Sequence, residues 1–138
     1  NMEVKYEFDV YPSDFQNAGN ASSEIKKYLT QIGYPHKLIR KIVICAYEAE
    51  MNIVIHSYGG KLKLFLGDDK IILISEDIGP GIKDIDLALL EGYSTASQSV
   101  REMGFGAGMG LPNMKKNSDV FEIESSNEQT IVKLSWVI

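Results

Sequence analysis

Four features of this chain could do chemistry: three strings and one single residue. In GFGAGMG, residues 104–110, glycines alternate with other residues just ahead of a helical pattern. Alternating glycines let successive backbone amides point at one anion, and a helix start adds its dipole, so the string reads as a phosphate-binding loop or as a flexible connection. In DIGPGI, residues 77–82, an aspartate follows an apolar run, and two glycines flank a proline. The glycines permit close backbone approach to a flat ligand. An aspartate at a strand end can accept a hydrogen bond from an exocyclic amine such as that of adenine, and would reject guanine, which presents a carbonyl there. A plain turn would use the same residues. In EAEMNIVIH, Glu48 and Asn52 stand four residues apart, on one face of a helix, with His56 a turn further on. Polar groups on an apolar helix need partners, because an unpaired buried carboxylate is costly. This stripe is a site or a helix end exposed at the protein's edge. Glu50 falls off the stripe and is expected in solvent. Thr130, near the C-terminus, is the fourth candidate, with an ordinary strand residue as the alternative.

Other chemistries are excluded. His36, His56 and the single Cys45 provide no zinc-type cluster, and no Ser-His-Asp set is suggested. There is no G-x-x-x-x-G-K-[ST] string, so a P-loop is absent. The segment before the glycine run is not a buried strand, as a dinucleotide-binding turn would require.

The elements that must position these residues follow from periodicity. Residues 4–11 alternate as a half-buried strand. Pro12-Ser13-Asp14 predicts a turn and the start of a helix running to about Gln31, weakened at Gly19 and ended by Gly33. Pro35 opens a second helix, His36 to Ser57, apolar nearly all round and therefore central. Residues 61–66 and 71–75 around Gly67-Asp68-Asp69-Lys70 predict a hairpin. A short helix is expected at 84–90, a long functional loop at 92–110, a helix at 111–117, and strands at 120–125 and 130–137. This is an α/β two-layer sandwich with a mixed, largely antiparallel sheet and helices on one face.

The 138 residues are 44% hydrophobic and 24% charged, enough for one domain with a sizeable core. Nineteen acidic residues against fourteen basic ones leave a net charge of −5. The basic residues scatter in pairs, so nucleic acid is not an expected partner. No apolar run approaches the length of a membrane span, and one thiol without a leader-like segment fits a cytoplasmic setting. Asn1, ahead of Met2, is set aside as a cloning remnant, giving a single domain over 2–138.

Taken in order, EAEMN, DIGPGI, GFGAGMGL and Thr130 resemble the GHKL ATPase superfamily, whose fold is the Bergerat-type, histidine-kinase-like ATP-binding sandwich. Within it, E-A-x-x-N-x-x-x-H, together with EGYSTAS and GFGAGMGLPNMKK, is most similar to small bacterial anti-sigma-factor and switch-type serine kinases that act on STAS-domain proteins. The resemblance implies ATP and Mg²⁺ as cofactors. It implies Glu48 as the catalytic base, Asn52 as the Mg²⁺-holding residue, and Asp77 as the reader of adenine, with Gly79 and Gly81 making room for the base. Thr95, Gly106, Ala107, Gly108, Met109, Gly110 and Leu111 would belong to a lid around the phosphates, and Thr130 would support adenine from the far strand. The chain departs from the pattern at Gln129, where a glycine is usual, which could alter the final hairpin. It also departs at Ala96, where a basic residue is usual, leaving Arg101 as the lid's basic residue. The implied function is an ATP- and Mg-dependent protein serine/threonine kinase and partner switch that binds and phosphorylates a STAS-domain regulator, with a sigma factor or phosphatase as a further partner. A homodimer is compatible with this reading. The alternative is a nucleotide-gated binding module with little or no phosphotransfer.

Overall fold

The computed structural model describes residues 3–90 and 110–138. The order is β1 (Glu3–Val10), α1 (Asn20–Ile32), α2 (His36–His56), β2 (Gly60–Leu66), β3 (Lys70–Ile78), α3 (Ile85–Ala88), α4 (Gly110–Lys116), β4 (Val120–Ser125) and β5 (Gln129–Val137). The strands form one sheet in the order β1-β2-β3-β5-β4. Every pairing in it is antiparallel, so the sheet is not mixed. Each neighbouring pair closes through a local turn or through the helical layer, and no βαβ crossover is needed.

Alternation sets the faces. On β5, Thr130, Val132, Leu134 and Trp136 are buried while the residues between them are not. On β2, Leu62 and Leu64 are buried, and on β3 Ile71, Leu73 and Ser75. These residues meet Ile39, Ile42, Cys45, Ala46, Ala49, Ile53 and Val54 of α2, and Ile25 and Leu29 of α1, in one core. The outer face carries ion pairs such as Lys61–Asp9 at 2.9 Å and Lys63–Glu76 at 3.2 Å. Exposed pairs of this kind contribute little to stability.

α2 is central, as its composition predicts, yet it keeps a solvent stripe: Lys37, Arg40, Lys41 and Tyr47 are exposed. It starts directly after Pro35, whose φ of −58° is preset for a helix start. It ends at Ser57, whose hydroxyl donates to the Ile53 carbonyl at 2.6 Å.

α1 begins later than its sequence suggests. Gly19 is not a weak point inside the helix but its boundary, at φ 96°. Residues 12–19 form an irregular stretch in which Ser13 takes φ 58° and donates its N–H to the Val54 carbonyl of α2. At that φ Ser13 lies outside the right-handed helical region, so no helix starts at the Pro-Ser-Asp signal.

Candidate functional site

The site gathers on the helix-bearing side of the sheet, at the end where α2 runs out. There Tyr58 donates its backbone N–H to the Ile78 carbonyl, and Ile78 donates to Gly59, joining the end of α2 to the end of β3. Asp77 is the second-last residue of β3, inside the strand rather than after it, and pairs with Thr130 of β5. It shares the face of Leu73 and Ser75. The Thr130 N–H donates to Asp77 Oδ1 at 3.2 Å. Burial pushes the Asp77 carboxyl above its ordinary value, and that N–H partly opposes the shift.

Thr130 is only 6% exposed. Its hydroxyl shares a 2.8 Å hydrogen bond with that of Ser125 on β4, and Ser125 Oγ accepts from the Ile82 N–H at 2.7 Å. A chain of contacts thus runs from the segment after β3 through Ser125 to Thr130 and Asp77. Ser125 carries no motif in the sequence, and only the register of β4 against β5 brings it here. Gln129 leaves the final hairpin intact. Ser126 donates to the Gln129 carbonyl at 2.8 Å, and Ser13 is the sole non-glycine at positive φ among the described residues.

The two glycines of DIGPGI make close approaches to the chain itself. A Cβ on Gly79 would lie 3.2 Å from Ser57 Cα. One on Gly81, which sits at φ 73°, would collide with the Ser126 carbonyl. Here the positive φ and the collision both demand glycine.

On α2, Glu48 and Asn52 are half-buried, as expected of one shared face. Glu48 Oε2 accepts a hydrogen bond from Asn113 Nδ2 of α4 at 2.6 Å. Asn52 lies against the first residue of α4: a Cβ on Gly110 would fall 3.2 Å from its Oδ1. Cys45, one turn before Glu48, donates its Sγ–H to the Met114 carbonyl at 3.6 Å. Burial, with Glu48's charge adding to it, pushes the Cys45 thiol up to about 12, so it is a packed side chain and not a nucleophile. His56 lies at the surface end of the helix, and partial desolvation of its ring lowers its pKa below the ordinary value.

The Leu111 side chain is buried in the core, while the lid role expected of this residue falls to its backbone amide. Thr95, Gly106, Ala107, Gly108 and Met109, with Ala96 and Arg101, lie outside the described residues. Glu50 is not in solvent: it is 3% exposed and accepts hydrogen bonds from the N–H groups of Ala21 and Ser22, each at 3.1 Å. α1 has no side-chain cap of its own, and Glu50 supplies one from the neighbouring helix.

For a metal, the available donor is a hard oxygen. Among the described residues no three His, Cys, Asp or Glu side chains come together as a cation site. A lone amide oxygen at Asn52 fits Mg²⁺, which is commonly held by one or two protein oxygens and completed by phosphates and waters.

An antiparallel five-stranded sheet backed by one helical layer, with its polar groups gathered where the central helix ends, is the histidine-kinase-like ATPase fold. The chain belongs to the family of histidine kinase-like ATPase domains, whose model matches residues 11–136. It is 29% identical over 143 residues to the anti-sigma F factor of Caldanaerobacter subterraneus subsp. tengcongensis, covering 99% of this chain and 93% of that one. It is 30% identical over 103 residues to the serine/threonine-protein kinase RsbT of Bacillus subtilis, covering 70% and 71%. Two solved structures share the fold. The RsbU and RsbW domains of Rv1364c from Mycobacterium tuberculosis match with a TM-score of 0.61 at 17% identity, over 95% of this chain and 32% of that one. The SiaB-SiaC complex from Pseudomonas aeruginosa matches with a TM-score of 0.60 at 10% identity, over 96% and 89%. This chain therefore spans about a third of the mycobacterial one.

Proposed function

We propose that this protein is an ATP- and Mg-dependent protein serine/threonine kinase of the anti-sigma-factor type, a cytoplasmic partner switch that binds and phosphorylates a STAS-domain regulator. The observation that carries the reading is the pairing of Glu48 with Asn52 on one half-buried face of α2, with the Glu48 carboxylate held by Asn113. A module that only bound nucleotide would have no need of a positioned carboxylate beside the metal-holding amide. The relatives named anti-sigma F factor and serine/threonine-protein kinase support the same class.

In this mechanism Glu48 accepts the proton of a substrate serine hydroxyl while that oxygen bonds to the γ-phosphorus. The bond from that phosphorus to the β–γ bridging oxygen breaks, and the electron pair leaves with ADP. Asn52 would hold Mg²⁺, which supplies neutralisation of phosphate charge. Asp77 accepts the exocyclic N–H of adenine, and the Thr130 N–H fixes its orientation. Gly110 and the lid residues Thr95 and Gly106 to Met109 would surround the phosphates. The new phosphate brings about −1.5 to −2 charges to the partner, enough to weaken a contact by repulsion and release it.

The test is γ-labelled ATP and Mg²⁺ added to the protein in a soluble extract of its source cells, beside a Glu48→Gln control. The expected result is one small labelled protein, absent from the control lane and identified by mass spectrometry as a STAS-domain protein phosphorylated on serine or threonine. Absence of label, with calorimetry still recording Mg-ATP binding, would favour the nucleotide-gated binding module instead.

A further inference from the structure

We propose that Asn113 is a positioning residue for Glu48, a role that rests on the kinase reading above. Asn113 Nδ2 lies 2.6 Å from Glu48 Oε2. A carboxylate oxygen accepts and an amide nitrogen donates, so it is the nitrogen of Asn113 that faces Glu48. With Oε2 engaged in this way, Oε1 is the oxygen that would receive a proton.

What makes Asn113 a useful anchor is how firmly α4 is tied at both ends of its contact with α2. Two residues on each helix meet in register: Cys45 with Met114, and Glu48 with Asn113, while Asn52 lies beside Gly110. Beyond Asn113, its own carbonyl accepts from the backbone N–H of Asn117 at 3.1 Å and from Asn117 Nδ2 at 2.8 Å. The Asn117 carbonyl in turn accepts from Trp136 Nε1 of β5 at 2.6 Å. Trp136 is 1% exposed and sits in the core. A continuous hydrogen-bonded path therefore runs from the sheet through Asn117 and α4 to the carboxylate. A glutamate on an exposed helix face would sample several rotamers, and misplacing a reacting group by about 1 Å can cost on the order of a hundredfold in rate.

Two measurements test this. In ¹⁵N-resolved NMR spectra, the Asn113 side-chain amide pair, assigned by its loss in Asn113→Asp, is expected to have one strongly downfield proton. That proton should move upfield in Glu48→Ala, and an unchanged amide pair in Glu48→Ala would overturn the contact itself. In steady-state transfer assays, Asn113→Ala is expected to lower kcat about tenfold, with KM for ATP within about twofold of wild type. Asn113→Asp, the same size but with a negative group facing Glu48, is expected to lower kcat further. A merely space-filling Asn113 would give the opposite order, with the isosteric aspartate the milder change. Thermal melts establish that each variant is folded at the assay temperature. Wild-type kcat in both variants would overturn the positioning role. If the wild type transfers nothing while the NMR contact stands, the kinase reading has failed, and the positioning role fails with it.

Discussion

Glu48 and Glu50 stand two residues apart on the same helix and end in opposite circumstances. Glu50 is buried, and both its oxygens are taken by backbone N–H groups at the start of α1. Glu48 is half-buried, and among the described residues one side-chain amide, that of Asn113, holds one of its oxygens. The helix turns by about 200° between them, so the two carboxylates look out of different sides of α2. One side is closed by a neighbouring helix whose free N–H groups need an acceptor. The other is flanked by α4. The comparison teaches that charge on a helix does not by itself mark a site. A carboxylate with both oxygens engaged by backbone N–H groups is structural, and one held through one oxygen by a neighbouring side chain can still do chemistry.

The largest effect expected from breaking this contrast is at Glu48. Glu48→Gln should lower phosphoryl transfer by about 10²- to 10⁴-fold, the range typical of removing a general base. It should change the midpoint of thermal unfolding little, because Gln can still accept from Asn113. Glu50→Ala should do the reverse. Losing the shared cap of α1 leaves two buried N–H groups unsatisfied, at a cost of about 3 kcal/mol. Urea unfolding should show this as a lower midpoint with the slope unchanged, while transfer per folded molecule is retained. If Glu50→Ala abolishes transfer at full stability, the division between the two carboxylates is wrong.

Asp77 comes next and carries a pH signature. Its folded-state pKa is raised above the ordinary 3.8 by burial. The stability it contributes is therefore full below that value and lost as pH rises through the folded-state pKa. Asp77→Asn removes this penalty and still offers an oxygen to the Thr130 N–H. At pH 7 the variant should be at least as stable as wild type, and the difference should vanish as the pH falls toward 3.8. Calorimetry should nevertheless show ATP affinity reduced about tenfold or more, the loss expected when a charged acceptor becomes neutral. The smallest effect is expected at Cys45. Cys45→Ala removes a weak donor to the Met114 carbonyl and leaves a small gap, and should cost about 1 kcal/mol in urea unfolding.

Much of this was legible in the residues. α2 announces itself by length and apolar content, the β2–β3 hairpin by the turn residues Gly-Asp-Asp-Lys between two strand-like runs, and Glu48 with Asn52 by their spacing of four. The features that stayed hidden are those whose partners are distant in sequence. Glu50 serves N–H groups 28 and 29 residues away, and Asn113 reaches a carboxylate 65 residues earlier. Nothing local to EAEM or to LPNM records those pairings. Ser125 is the same case, since its place beside Thr130 exists only once β4 and β5 are in register. The late start of α1 has a related cause. Ser13 takes φ 58° where it bonds to the Val54 carbonyl of α2, a tertiary arrangement that the local helix-start signal does not record.

The measurement that bears most directly on the central claim is the rate of γ-phosphoryl transfer by Glu48→Gln to the protein that the wild type labels, at an ATP concentration shown by calorimetry to saturate both wild type and variant. The account predicts equal ATP occupancy and transfer reduced by at least about a hundredfold in the variant. Transfer at the wild-type rate would contradict it, and would leave Glu48 as a second structural carboxylate on the same helix as Glu50.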